Sequence, residues 1–138
     1  MITTAEKVLF LKGIDLFSTL AGEDLAEIAL IAEEVEHDAG ETIVAEGDPG
    51  DALYFVLEGR VRVHKGDRTV AELGAREVFG EMALLDPGPR SASVDAVTDV
   101  SLLAIGRDDF DDIMRDRPEV PIGVIKVLVR RLREAIGT

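Results

Sequence analysis

The chain of 138 residues contains no cysteine, no tryptophan, no asparagine and no glutamine, and only one tyrosine. Without cysteine there is no disulfide framework, no thiolate metal site and no cysteine nucleophile, which suits a reducing compartment and makes the cytoplasm the expected location. Positive charge is also scarce: 15 Lys and Arg face 28 Asp and Glu, a formal net charge of −13. That balance opposes docking on nucleic-acid phosphates or anionic lipid, so neither direct DNA binding nor membrane insertion is expected. The only histidines, His37 and His64, fall in different predicted elements. They read as surface residues and cannot supply a paired-histidine metal site. No stretch approaches the ~18 uninterrupted apolar residues of a membrane span, and no basic region followed by a cleavable apolar run opens the chain. A 46% hydrophobic content is enough for one core, so residues 1–138 are expected to form a single domain.

Three periodicities divide it. From Ala5 to Val35 the pattern is helical, with Leu25, Ile28, Ala29 and Ala32 at i, i+3, i+4, i+7 and Glu23 and Asp24 in a first turn where negative charge meets the helix dipole. Helices are therefore expected over residues 1–36. From residue 37 to 106 the chain turns to short β-rich runs separated by glycine: 42–45, 53–57, 61–65, 69–73, 92–97 and 100–105. Six strands in so short a span predict a barrel or sandwich. In the 61–65 run Val61 and Val63 alternate inward against Arg62, His64 and Lys65, while the 53–57 run is apolar on both faces and is expected to be covered on both sides. The helical period returns over 107–138, with a short helix at Asp108-Asp109 and, after Pro118 and Pro121, a longer one that carries Val124, Ile125, Val127, Leu128, Leu132 and Ile136. The expected class is mainly β with flanking helices.

Catalytic signatures are missing. No GxxxxGK[ST], GxGxxG or GxSxG occurs. Glu46, Asp48 and Asp51 lack the ligand number and spacing of a calcium loop, and the acids at Asp108, Asp109, Asp111 and Asp112 read as a solvated helix start. No enzyme, metal or cofactor is expected.

The segment from Val78 to Val94 is different. Phe79 ends a strand, Gly80 removes a side chain, Glu81 to Leu85 can form one helical turn, and Pro87-Gly88-Pro89 returns the chain into Arg90. A helix N-terminus exposes N–H donors and a partial positive charge, and a glycine admits a ligand close to the backbone, so Gly80 to Leu84 can cradle one phosphate. Arg90 supplies a planar fork for two phosphate oxygens. Glu81 would be misplaced beside a bare phosphate, but it can accept from a sugar hydroxyl. A phosphate and a free ribose hydroxyl a few ångströms apart describe a cyclic nucleotide.

The segment resembles the phosphate-binding cassette of the cyclic nucleotide-binding domain family, F-G-E-x-A-L-[IVL]-x-x-x-P-R-x-A. Phe79, Gly80, Glu81, Ala83, Leu84, Leu85, Pro89, Arg90 and Ala92 match it without a gap, and residues 40–61 match the family's earlier glycine-rich pattern. The resemblance implies a double-stranded β-helix, or jelly-roll, barrel with the cassette at 79–92. It implies that Glu81 accepts from the ribose 2′-hydroxyl, that Arg90 holds the cyclic phosphate, and that Gly80, Ala83 and Leu84 offer backbone. Met82, Pro89, Ser91 and Ala92 complete the expected contacts; Phe79, with Val61 and Leu73, leans toward barrel core. Val70 and Ala71 lie where the family lines its base pocket. The expected ligand is cyclic AMP or cyclic GMP. Cyclic AMP is favoured because no evident guanine-specific acceptor is placed there, although the Ser91 hydroxyl can bond guanine's amino group. With no aromatic residue after Phe110, a lid over the base must be aliphatic or guanidinium, and Leu128, Arg131 and Leu132 are the candidates. The apolar stripe of the C-terminal helix is expected to meet the barrel mouth or a second copy of itself and to pass ligand binding to a protein effector or fused domain.

Overall fold

A computed structural model describes residues 1–137 as two compact units, one from Ala32 to Asp108 and one joining residues 1–31 to the segment from Asp109 onward. The first unit is built of antiparallel strands. One sheet has the order β1 (Glu33–His37), β10 (Val100–Gly106), β4 (Ala52–Glu58), β7 (Val78–Phe79). A second has the order β2 (Thr42–Val44), β9 (Ser93–Ala96), β5 (Val61–Lys65), β6 (Arg68–Leu73), and β3 (Pro49–Gly50) pairs with β8 (Gly88–Pro89) as a two-stranded clip. Val56, Phe79 and Leu102 from the first sheet and Val61, Val94 and Ala96 from the second form one buried cluster, so the core lies between the sheets. This is the expected jelly-roll barrel, with helices before and after it in the chain.

All six predicted runs are strands. The doubly apolar run forms β4, where Leu53, Phe55 and Val56 are buried and Tyr54 and Leu57 half-buried, so both its faces are covered. At the β4–β5 hairpin Gly59 adopts φ +91°, and a Cβ there would collide with the Asp99 carbonyl and the Val100 side chain. Only glycine fits that turn.

Two expectations need correction. The helical pattern does not run to Val35 and the N-terminal helices do not fill residues 1–36: α2 (Gly22–Ile31) stops early, and Glu33–His37 is a strand paired residue by residue with β10, from Glu33↔Ala104 to His37↔Val100. Ladder pairing overrides the helix propensity of three glutamates, and at the edge of a sheet their charges discourage further strand addition. Nor is His64 a plain surface residue. Its side chain is only 16% exposed, with Nε2 2.7 Å from Asp95 on β9 and Nδ1 2.7 Å from the Gly66 carbonyl. Asp95 also accepts from the Thr42 hydroxyl at 2.9 Å, so one carboxylate joins β2, β9 and β5.

The second unit is helical. α1 (Thr4–Lys12) opens with a capping box in which Thr3 and Glu6 bond each other's backbone N–H at 3.1 Å. A 3₁₀ turn, Asp15–Phe17, precedes α2; α4 (Arg107–Asp116) and α5 (Glu119–Ile136) close the chain. The long helix starts at Glu119, before Pro121, because a proline in the first turn gives up an N–H that has no intrahelical partner. α5 buries Val120, Gly123, Val124 and Val127, and a Cβ on Gly123 would lie 2.7 Å from the Thr19 hydroxyl, which makes close approach there dependent on glycine. Phe17 meets Phe110 with ring centroids 5.6 Å apart.

Asp24 does more than complement a helix dipole. It is 2% exposed and accepts from Arg117 Nη1 at 2.8 Å, with Glu27 3.5 Å from the other terminal nitrogen. The Asp24 hydrogen bond is the main cause that raises the Arg117 pKa above its ordinary value, so the stabilisation that comes through the guanidinium is lost as pH rises through arginine's ionisation. Removing Asp24 takes away the shorter of the two carboxylate contacts of Arg117 and leaves the 3.5 Å one to Glu27. Asp24→Ala is expected to lower the thermal midpoint by on the order of 5 °C, read by calorimetry; an unchanged midpoint would show that the pair contributes nothing.

Candidate functional site

The cassette takes the shape read from its sequence. β7 ends at Phe79, Gly80 caps α3 (Glu81–Leu85) in the left-handed conformation at φ 79°, and β8 carries the return toward Arg90. A glycine cap has no side-chain oxygen, so Gly80 itself offers no side-chain acceptor to the first-turn N–H groups of α3. A pocket of about 240 Å³ is lined by Gly80, Glu81, Met82, Ala83, Pro89, Arg90 and Ser91, joined by Asp86 and Gly88. Seven expected contacts are thereby brought together.

The other expected residues stand apart from this pocket's lining. Phe79 and Leu84 are buried, Phe79 within the barrel core. Ala92 is half-buried beyond the loop. On β6, Val70 sits at a bulge, where the β5 partner steps from Ala71 to Thr69, and is 51% exposed; Ala71 is half-buried opposite Val63. The lid candidates belong to the helical unit: Leu128 is half-buried, Leu132 exposed, and Arg131 bonds Asp15 at 3.0 Å.

Arg90 is the residue around which the site is constructed. Its main chain is clamped by the loop before β3: Arg90 N donates to Asp48 O at 2.7 Å, and Gly47 N donates to Arg90 O at 2.8 Å. Its Nη2 donates to the Ala52 carbonyl at 3.1 Å. Two glycines make room for the side chain. A Cβ on Gly50 would lie 2.7 Å from Arg90 Nε, and one on Gly80 would lie 2.5 Å from Nη1. Among the described residues no carboxylate stands within ion-pair distance of this guanidinium. A half-buried cation with one carbonyl partner keeps donors for an anion.

Sequence reasoning left Gly50 between the predicted 42–45 and 53–57 strands and overlooked it, Ala52 and Tyr54 as neighbours of Arg90. The strands that bring them there, Pro49–Gly50 and Gly88–Pro89, are two residues long and half proline, so no periodicity announces them. The only signal was the glycine-rich pattern itself.

Comparison with known proteins decides the family. Residues 34–117 match the family model described as the cyclic nucleotide-binding domain. The chain belongs to that family. Over 130 residues it is 44% identical to a protein named cyclic AMP receptor protein from Thermus thermophilus, a match covering 91% of this chain and 60% of that one. It is also 41% identical over 115 residues to a cAMP-dependent protein kinase regulatory subunit from Aspergillus niger, covering 77% of this chain and 28% of the subunit. Among solved structures it superposes with a TM-score of 0.86 and 40% identity on the N-terminal domain of a transcriptional regulator from Streptomyces coelicolor, covering 93% of each. The chain thus spans 60% or less of these two curated relatives, and the relatives' names are those of receptors and regulatory subunits rather than enzymes. Among the described residues no helix is long and apolar enough to cross a membrane.

For this cyclic nucleotide-binding domain the space at Gly50 sets where Arg90 lies. Gly50→Val would displace the guanidinium from the Ala52 carbonyl, and affinity for a cyclic nucleotide is expected to fall by about tenfold in a calorimetric titration. An affinity equal to wild type would mean that Arg90 does not need that space.

Proposed function

We propose that this domain is a sensor that binds a cyclic purine nucleotide, cyclic AMP in preference to cyclic GMP, in the cassette pocket. It passes occupancy to a protein effector or fused domain through α5. The observation that carries the reading is Arg90: in a chain of net charge −13, a half-buried guanidinium with no carboxylate partner among the described residues lines the same small pocket as Glu81. A carboxylate beside an anion site would repel a simple phosphate; a ligand with a hydroxyl next to its phosphate turns it into an acceptor. Following the family resemblance, Arg90 takes the cyclic phosphate with backbone from Gly80, Ala83 and Leu84, and Glu81 takes the ribose 2′-hydroxyl.

The base is read weakly. The chain has no Asn or Gln to pair with adenine's edge, so phosphate and ribose carry most of the affinity. The preference for cyclic AMP draws on the relatives' names and on the lack of an evident guanine-specific acceptor near Val70 and Ala71. The Ser91 hydroxyl is the group that would favour guanine. On α5, Ile122, Ile125, Val129, Leu132 and Ile136 are 40–64% exposed and recur every three or four residues. That stripe suits an apolar partner surface, whether an effector, a fused domain or a second copy of the helix. Leu128 and Leu132 are candidates to cover the base, and Arg131 would have to leave Asp15 to do so.

Calorimetry with both nucleotides tests the reading. Wild type is expected to bind cyclic AMP more tightly than cyclic GMP, and Arg90→Ala to lose about 30- to 1,000-fold in affinity, as removal of a charge-assisted bidentate contact costs about 2–4 kcal/mol. No heat and no thermal shift with either nucleotide would overturn it in favour of a ligand-free interaction scaffold. A cyclic GMP preference abolished by Ser91→Ala would overturn the choice of base. Separately, Glu81→Ala is expected to weaken cyclic AMP while leaving its 2′-deoxy analogue nearly unchanged. Equal losses for the two ligands would show that Glu81 does not read the sugar.

A further inference from the structure

We infer that Tyr54 is a positioning residue for the phosphate-binding guanidinium, its ring held against Phe79 and in turn fixing the orientation in which Arg90 presents its donors. The inference rests on reading the cassette pocket as the nucleotide site. The guanidinium carbon of Arg90 lies over the Tyr54 ring, 5.8 Å from its centroid, within the distance at which the ring's negative face attracts a cation. Tyr54 is not free to follow a moving arginine. It stacks on Phe79 with centroids 4.9 Å apart and planes 18° from parallel, and the two residues are register partners across β4 and β7. Phe79 belongs to the buried core cluster, with Tyr54 packed against it, so the core fixes Phe79, Phe79 fixes the ring, and the ring limits the arginine.

Tyr54 does not line the cassette pocket, so its influence on a ligand there would run through Arg90. A cavity of about 260 Å³ is lined by Tyr54 and Arg90 together with Asp48, Asp51 and residues of β2. The cassette pocket is lined by Arg90 without Tyr54. Arg90 is the wall between the two spaces, and Tyr54 stands behind that wall. A ligand in the cassette pocket therefore gains nothing from touching Tyr54; it gains from a guanidinium that cannot swing back into the second cavity. The Ala52 carbonyl holds one terminal nitrogen, the two glycines leave space around the side chain, and the aromatic face removes the rotation those contacts permit. A bidentate contact needs the whole plane oriented, whereas a single hydrogen bond fixes one point of it.

Cyclic AMP affinity is measured on the full chain for wild type, Tyr54→Phe and Tyr54→Leu, and for Tyr54→Leu in an Arg90→Ala background, with ligand raised to millimolar concentration for the weak binders. A cation–ring contact of this kind predicts about a fivefold loss for Tyr54→Leu and near wild-type affinity for Tyr54→Phe, which keeps the ring. Because Tyr54 acts through Arg90, Tyr54→Leu is expected to add no further loss once Arg90 is gone. Wild-type affinity in Tyr54→Leu, a loss in Tyr54→Phe equal to that in Tyr54→Leu, or an equal loss with and without Arg90 would each overturn the inference. If Tyr54→Leu does not fold, Tyr54→Met replaces it in both backgrounds and is judged by the same outcomes. Wild type stands in the same series, so failure of nucleotide binding itself is told apart from failure of the positioning role.

Discussion

The placement of one guanidinium is the constraint to which much of the strand unit answers. Arg90 reaches its position only if residues about forty positions earlier in the chain supply a carbonyl at Ala52 and an empty space at Gly50. That requires β3 to pair with β8, and the loop before β3 to exchange two backbone hydrogen bonds with Arg90. It also requires Gly80 to turn through the left-handed region without a side chain. The consequence is energetic as well as geometric. A free arginine loses about 2 kcal/mol of rotamer entropy when it is fixed, and here much of that loss is incurred on folding, so less remains to oppose the ligand.

The cassette was legible because its information is contiguous: strand end, glycine, helical turn, return and arginine follow one another within 79–92, and local rules of turns and helix ends interpret them in order. The six longer strands were legible for a similar reason, through apolar alternation between glycine-marked turns. What escaped depends on contacts between distant segments. β1 carries three glutamates and declares itself only through β10. β3 and β8 are too short to have a period. His64 looks outward in its own strand and is drawn into partial burial by a carboxylate on β9. Asp24 reads as a first-turn acid until Arg117, 93 residues later, draws it into a part-buried ion pair.

The missing amides also shape the polar contacts. A chain with no Asn or Gln must satisfy its side-chain hydrogen bonds with charged groups, hydroxyls and histidine. In the helical unit this produces Arg117 with Asp24 and Glu27, and Asp15 shared between Arg130 and Arg131. In the strand unit it produces the run from Thr42 through Asp95 to His64. Carboxylates outnumber their cations nearly two to one, so each arginine is in demand. An arginine that no carboxylate has claimed is all the more informative in such a chain, and Arg90 is one.

The same imbalance bears on what the pocket admits. A net charge of −13 repels anions at a distance, but at physiological ionic strength that repulsion is screened beyond about 8 Å. A small monoanion meets it with one charge, then enters a pocket where Arg90 is close, partly shielded from solvent and already oriented. Short-range attraction at Arg90 can therefore operate where long-range attraction is absent.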